Sequence, residues 1–207
     1  MTKKLTKALA ITACAVILVA ATVMGTVAYL TSQATVSNTF TAGNVVIRMD
    51  EAKADANGVV ADVNSRTEVN DVNNYKLVPA AEYTKDAKIY VEANSEECYL
   101  FVKFDTAFIS IVENFDELLD ANNWKPLADV DGVYYYNGTI ATSNTQTAKS
   151  IIGTFKVKPE ADYATLKDVT STSLKGYAIQ KQGFGENAYA DAWAAVSAAE
   201  AAAQPQG

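Results

Sequence analysis

The chain contains no histidine at all. That absence removes the usual zinc ligand, the commonest general base, and any Ser-His or Cys-His nucleophile pair. The helical His-Glu-x-x-His motif of zinc peptidases is therefore missing. Cysteine is nearly absent too. Cys14 lies in the first segment, and Cys98 is alone in the remainder, which excludes an internal disulfide there. Cys98 shares an alternating face with Leu100, Val102 and Phe104, and it reads as a buried, inert thiol. Basic charge is scarce. The net charge of −7 argues against nucleic acid and anionic lipid as partners. No phosphate-cradling glycine loop is present, because Gly183-Phe184-Gly185 lacks a third, helix-opening glycine.

Lys3, Lys4 and Lys7 precede an apolar run from Ala8 to Met24, and Thr26-Val27-Ala28 supplies the small residues a signal peptidase reads. The expected cut falls between Ala28 and Tyr29; an uncleaved membrane anchor is the alternative. Residues 1–28 are then a signal peptide, 29–43 an N-terminal strand segment, and 44–207 one β-sandwich domain ending in a helix. No sorting motif or second apolar segment follows, so secretion without covalent wall attachment is expected.

Past the leader the chain alternates. In Thr35–Ala42, Val36, Phe40 and Ala42 form one face, with Asn38 as the polar exception. After Gly43 the apolar phase moves to Val45, Ile47 and Met49, which makes Gly43 a turn or bulge between two strands. From Asp50 to Asn74 a polar surface excursion is expected, with a turn at Asn57-Gly58 and a short strand near Val59–Val63. Ala87–Ala93 and Cys98–Asp105 alternate clearly, and the four residues between them predict an antiparallel hairpin. The spacing over Glu113–Asn123 predicts a short helix. Trp124–Leu127 is expected to leave that helix in an extended form, and further strands are expected at Val133–Tyr136, Ser150–Lys158 and Leu174–Lys181. Tyr189, Ala192, Trp193 and Val196 share one side of a terminal helix reaching about Ala203. The pattern is all-β, an antiparallel sandwich with two short helices.

Ala28-Tyr29-Leu30-Thr31, followed by Thr35-Val36-Ser37-Asn38-Thr39-Phe40-Thr41-Ala42-Gly43-Asn44-Val45, resembles the leader junction of the TasA/camelysin family. Leu77-Val78-Pro79-Ala80 leading to Thr84-Lys85-Asp86 resembles that family's leucine–x–proline–glycine to threonine–lysine–aspartate connection, with Ala80 where the family usually has glycine. The resemblance implies a secreted Gram-positive protein cut by a SipW-type signal peptidase, with a jelly-roll body. It also implies fibre formation in which a mature N-terminal strand enters a neighbouring subunit.

The residues themselves suit that role. Tyr29–Gly43 carries no charge and no proline in an otherwise acidic chain, and an uncharged strand can add to an open sheet edge. The expected assembly strand includes Tyr29, Leu30, Val36, Phe40 and Gly43, with self as partner in a head-to-tail homopolymer of extracellular matrix (biofilm) or cell-surface fibres. Alternation alone leaves pairing within the chain or between chains open. Two rivals belong to other classes: a camelysin-like metallopeptidase, disfavoured by the missing histidine, and a glycan-binding adhesin using Tyr134, Tyr135 and Tyr136. No catalytic residue, cofactor or resident metal is expected. Weak calcium binding at Asp116/Glu117/Asp120 or Asp129/Asp131 is the only metal chemistry the acids suggest, against a plain solvated face.

Overall fold

A computed structural model describes residues 31–35, 38–39, 44–67, 73–141, 144–169 and 174–203. The elements run β1 (Thr31–Thr35), β2 (Asn38–Thr39), β3 (Ile47–Glu51), β4 (Glu82–Val91), β5 (Cys98–Phe104), α1 (Thr106–Ile111) and α2 (Phe115–Asp120). Then come β6 (Trp124–Pro126), β7 (Val133–Tyr136), β8 (Thr147–Lys156), α3 (Tyr163–Asp168), β9 (Leu174–Gln180) and α4 (Tyr189–Ala203). One sheet has the order β2-β1-β9-β5-β7-β6 and the other β3-β4-β8, with every pairing antiparallel. The main core lies between them, where Ile47, Ile89 and Ile152 of the small sheet meet Leu100, Val102 and Ala178 of the large one. A second core lies on the other face of the large sheet, under α4.

The expected phase after Gly43 is correct: Val45, Ile47 and Met49 are buried, as are Ala87, Ile89 and Val91 across from them on β4. The terminal helix also forms as read, burying Tyr189, Ala192, Trp193 and Val196. Four helices occur among the described residues rather than two. The additions, α1 and α3, are single short turns of helix opened by Asp105 and Asp162. Each carboxylate accepts a backbone N–H of the first turn, from Ala107 at 2.9 Å and Thr165 at 2.7 Å.

Three strand expectations need correction. β4 and β5 do not form a hairpin. After Val91 the chain crosses from the small sheet to the large one, and the crossing is held by Asn94 in the left-handed region (φ 63°) and by Ser95, whose Oγ accepts from Val46 N at 3.1 Å. No strand forms at Val59–Val63, because Asp55 folds the turn onto itself by accepting the N–H groups of Asn57 and Val59, leaving an isolated bridge between Ala54 and Val60. Thr35–Ala42 is not one strand. β1 ends at Thr35 and β2 runs back along it (Thr35 opposite Asn38, Ala34 opposite Thr39), so the chain has reversed where the alternation fails at Asn38.

Val78-Pro79-Ala80-Ala81 is a tight turn in which Ala81 N donates to Val78 O at 3.2 Å, with Ala80 at φ 62°. Proline before a left-handed residue is the pattern of a type II turn, whose third position favours glycine. Ala80 carries a Cβ there at a cost of about 1 kcal/mol. Ala80→Gly is expected to raise stability by roughly 0.5–1 kcal/mol, read as a shift in the urea midpoint at unchanged slope.

Candidate assembly site

β9 is the strand on which the N-terminal segment sits. Its alternation is buried on both faces: Leu174, Gly176 and Ala178 lie against or within the main core, while Tyr177 and Ile179 lie beneath α4. One edge pairs with β5 along its full length, from Cys98 opposite Gln180 to Phe104 opposite Leu174. The other edge pairs with β1: Thr31 opposite Ile179, Ser32 opposite Ala178, Gln33 opposite Tyr177, Ala34 opposite Gly176 and Thr35 opposite Lys175. All five residues of β1 are engaged, and within this single chain the pairing is made in cis. Of the other expected assembly and cleavage residues, Ala28, Tyr29, Leu30, Val36, Phe40 and Gly43 lie outside the described residues.

The sheet edges at β6, β8 and β3 are obstructed. β6 is three residues long and ends in Pro126, which has no N–H to offer. On β8, Trp124 Nε1 donates to Ser150 O at 2.8 Å and Glu113 N to Lys156 O at 2.9 Å. Just before β3, Val46 N is taken by Ser95 Oγ, and on β3 Glu51 N is taken by Thr67 Oγ1 at 3.0 Å.

Helix α4 fastens β9 from its outer face. Trp193 packs edge-on to Tyr177 (centroids 5.2 Å apart) and tilted against Phe101 (5.4 Å). At the far end of the helix, Glu200 accepts from Tyr177 OH at 3.0 and 3.1 Å and from Lys175 Nζ at 3.2 Å. Burial first, and the Glu200 carboxylate second, push the Tyr177 phenol well above its ordinary value, so it stays a donor. Beyond β9, Lys181 bridges Glu97 (3.2 Å) and Glu186 (3.1 Å) at a pocket of about 360 Å³ lined also by Glu96, Gln180, Gln182 and Phe184.

Several other candidate residues are occupied structurally. Cys98 is fully buried, and burial, with a smaller contribution from Glu97, pushes its thiol up to about 12. Tyr134 lies in the main core and donates to Asp116 Oδ1 at 2.6 Å; Tyr135 stacks on Tyr189 at 3.9 Å; Tyr136 meets the edge of Trp124 at 5.5 Å and lies beneath Lys149 Nζ. The three tyrosines thus point to both faces of β7, not to one platform. Asp120 is paired with Lys125. Among the described residues no three His, Cys, Asp or Glu side chains converge to hold a metal. No helix among them is long and apolar enough to cross a membrane.

Sequence reasoning missed a buried charge cluster beside the main core. Lys85 and Glu51, 2% and 3% exposed, form an ion pair at 2.7 Å. Next to it Arg66 bridges Asp50 and Asp86, the closest contacts being 2.6 and 2.5 Å. A signal was present in the alternation itself. Lys85 continues the buried phase Tyr83, Ala87, Ile89 and Val91, and Glu51 continues Val45, Ile47 and Met49. Opposite charges interrupting two apolar faces of neighbouring strands imply a buried pair.

No protein-family model matches this chain, and no curated protein or solved structure matches it either.

Proposed function

We propose that this chain is a secreted structural protein, a jelly-roll subunit released from its leader by a SipW-type signal peptidase, that polymerises into extracellular matrix or cell-surface fibres. Its N-terminal segment leaves β9 of its own body and pairs with β9 of the next. The reading rests on one observation above the others: the outer edge of a strand buried on both faces is completed by a five-residue segment at the chain's N-terminal side. Exchange between chains re-forms the same main-chain hydrogen bonds, so association needs no new surface. Each body offers one such seat and one such strand, and a head-to-tail contact of that kind does not close on itself. Filaments follow from that geometry. The obstructed edges of β3, β6 and β8 support growth along one direction instead of sideways sheet addition.

The uncharged composition of Tyr29–Gly43 supports the same reading. Bodies that repel one another through their acidic surfaces meet at the segment where repulsion is absent. The missing histidine supports a structural role over a peptidase.

The test is electron microscopy of the mature protein beside a form lacking Tyr29–Phe40. Filaments are expected only from the former. The shortened form should stay monomeric and bind a synthetic peptide of residues 29–43. Identical filaments from both forms would refute strand exchange, and so would a mature protein that stays monomeric at high concentration.

A further inference from the structure

The second core, under α4, gathers three tyrosine rings. Tyr189, in the first turn of the helix, stacks on Tyr135 of β7 with centroids 3.9 Å apart and planes 21° from parallel. Tyr99 of β5 meets the same Tyr189 ring edge-on, at 5.2 Å and 68°. The Tyr189 phenol is fixed by its neighbours. Its oxygen accepts from Gly138 N at 2.9 Å, in the turn that follows β7, and it donates toward Asn187 Oδ1 at 3.4 Å. Burial is the largest cause that pushes this phenol above its ordinary value, and the Tyr135 and Tyr99 phenols add to it, as they do when hydroxyl groups share one neighbourhood. The pair Tyr75 and Tyr83 differs: it is T-shaped, at 6.0 Å and 82°. Among the described residues Tyr135 and Tyr189 are thus the two tyrosines stacked face to face. Their separation is close to carbon–carbon contact, about 3.5–4.0 Å, so the rings are little offset. Each ring has two carbons ortho to its hydroxyl. In such a stack an ortho carbon of one ring lies over an ortho carbon of the other, or one position from it.

We propose that Tyr135 and Tyr189 form an oxidative crosslinking site, joined through their ortho carbons as dityrosine when the protein meets a one-electron oxidant of the peroxidase and hydrogen peroxide class. Tyr135 is half-buried and Tyr189 is 7% exposed, so the oxidant reaches Tyr135 first. The vacancy left by the first electron passes to Tyr189 through the stack, and a second oxidation at Tyr135 completes the pair. Each phenol gives up one electron and its proton. The two radicals couple, forming one C–C bond between ortho carbons. The hydrogen on each of those carbons then moves to the phenol oxygens, which restores both aromatic rings. The chain loses two hydrogen atoms, and one hydrogen peroxide is reduced to two waters. The link ties β7 to the first turn of α4. It closes a loop that a disulfide cannot close, because Cys98 is the sole cysteine after residue 28. Exposure to such oxidants rests on the export proposed above. The coupling itself needs no filament, since both rings belong to one chain.

The test treats purified mature protein, dilute enough to keep chains apart, with hydrogen peroxide and a peroxidase. Intact-mass spectrometry should show a single-chain product lighter by two hydrogen atoms, with dityrosine fluorescence. A protease digest should contain one branched peptide joining the Tyr135 and Tyr189 fragments. Hydrogen exchange in 189–192 should slow after treatment, because the first turn of α4 is then tied to the sheet. Tyr135→Phe and Tyr189→Phe each keep a ring in the stack and remove a phenol. Each should reduce the branched peptide to background with an unchanged far-UV circular dichroism spectrum, while Tyr90→Phe should leave its yield as in the wild type. A treated protein without the branched peptide overturns the proposal, including one that has only gained oxygen at methionine. So does a link from Tyr99 to Tyr189, a link found only between chains, or a branched peptide that survives Tyr135→Phe. None of these outcomes depends on filament formation, which is read separately by microscopy.

Discussion

Trp193→Ala is expected to lower stability by about 3–5 kcal/mol, the cost of emptying a large aromatic site in a packed core. Trp193 is only 6% exposed, and its ring is the contact through which α4 reaches Tyr177 of β9 and Phe101 of β5. The helix cannot compensate elsewhere. Much of its sequence is alanine, so Tyr189, Trp193 and Val196 carry most of its buried apolar area. Tyr189 sits between Tyr99 (5.2 Å) and Tyr135 (3.9 Å) and holds the first turn. The substitution should therefore loosen the second half of α4 first, including the Glu200 bonds to Tyr177 and Lys175. Urea unfolding reads the loss of stability, and hydrogen exchange should show faster exchange in 193–203 than in 189–192. A change below about 1 kcal/mol would mean that the helix does not cover the sheet as described.

Gly176→Val is expected to cost about 1–3 kcal/mol through overpacking. The position is an ordinary extended residue of β9, so the effect is spatial and not conformational. A Cβ built there would collide with Met49 Sδ and lie 2.9 Å from Ile89 Cδ1. Those side chains come from β3 and β4, so the small sheet packs into the space that β9 leaves where it has no side chain. Met49 is an unbranched side chain and can give way in part, which keeps the cost within that range. Pairing the change with Met49→Ala should recover part of the loss, giving a coupling of about 0.5–3 kcal/mol in a double-mutant cycle. Additive losses would show that the clash is not with Met49. Gly176 also lies opposite Ala34 of β1. If the chain polymerises as proposed, pushing β9 away from the small sheet should lower filament yield more than an equally destabilising change at Trp193.

Much of this architecture is legible along the chain. Alternation found the buried phases of β3, β4 and β5, and the spacing of Tyr189, Ala192, Trp193 and Val196 found the face of α4, because a buried face imposes its period on whichever element carries it. The same logic reaches its limit at β5. The alternating face of Cys98, Leu100, Val102 and Phe104 was visible, but Tyr99 and Phe101 are buried as well, since α4 covers the side expected to meet water. Periodicity reports that a face is buried; it does not say what buries it.

The sequence by itself determined where most strands of the body lie, which faces of β3, β4 and β5 enter the main core, where the last helix runs, and that histidine-based chemistry is unavailable. Only the tertiary structure decided which strands are neighbours. The six residues between β4 and β5 fit a hairpin and a crossing between sheets equally well, and a strand edge has no side-chain period that names its partner. For the same reason only the fold could put β1 on β9 and could pair Lys85 with Glu51, far apart along the chain, beside the core.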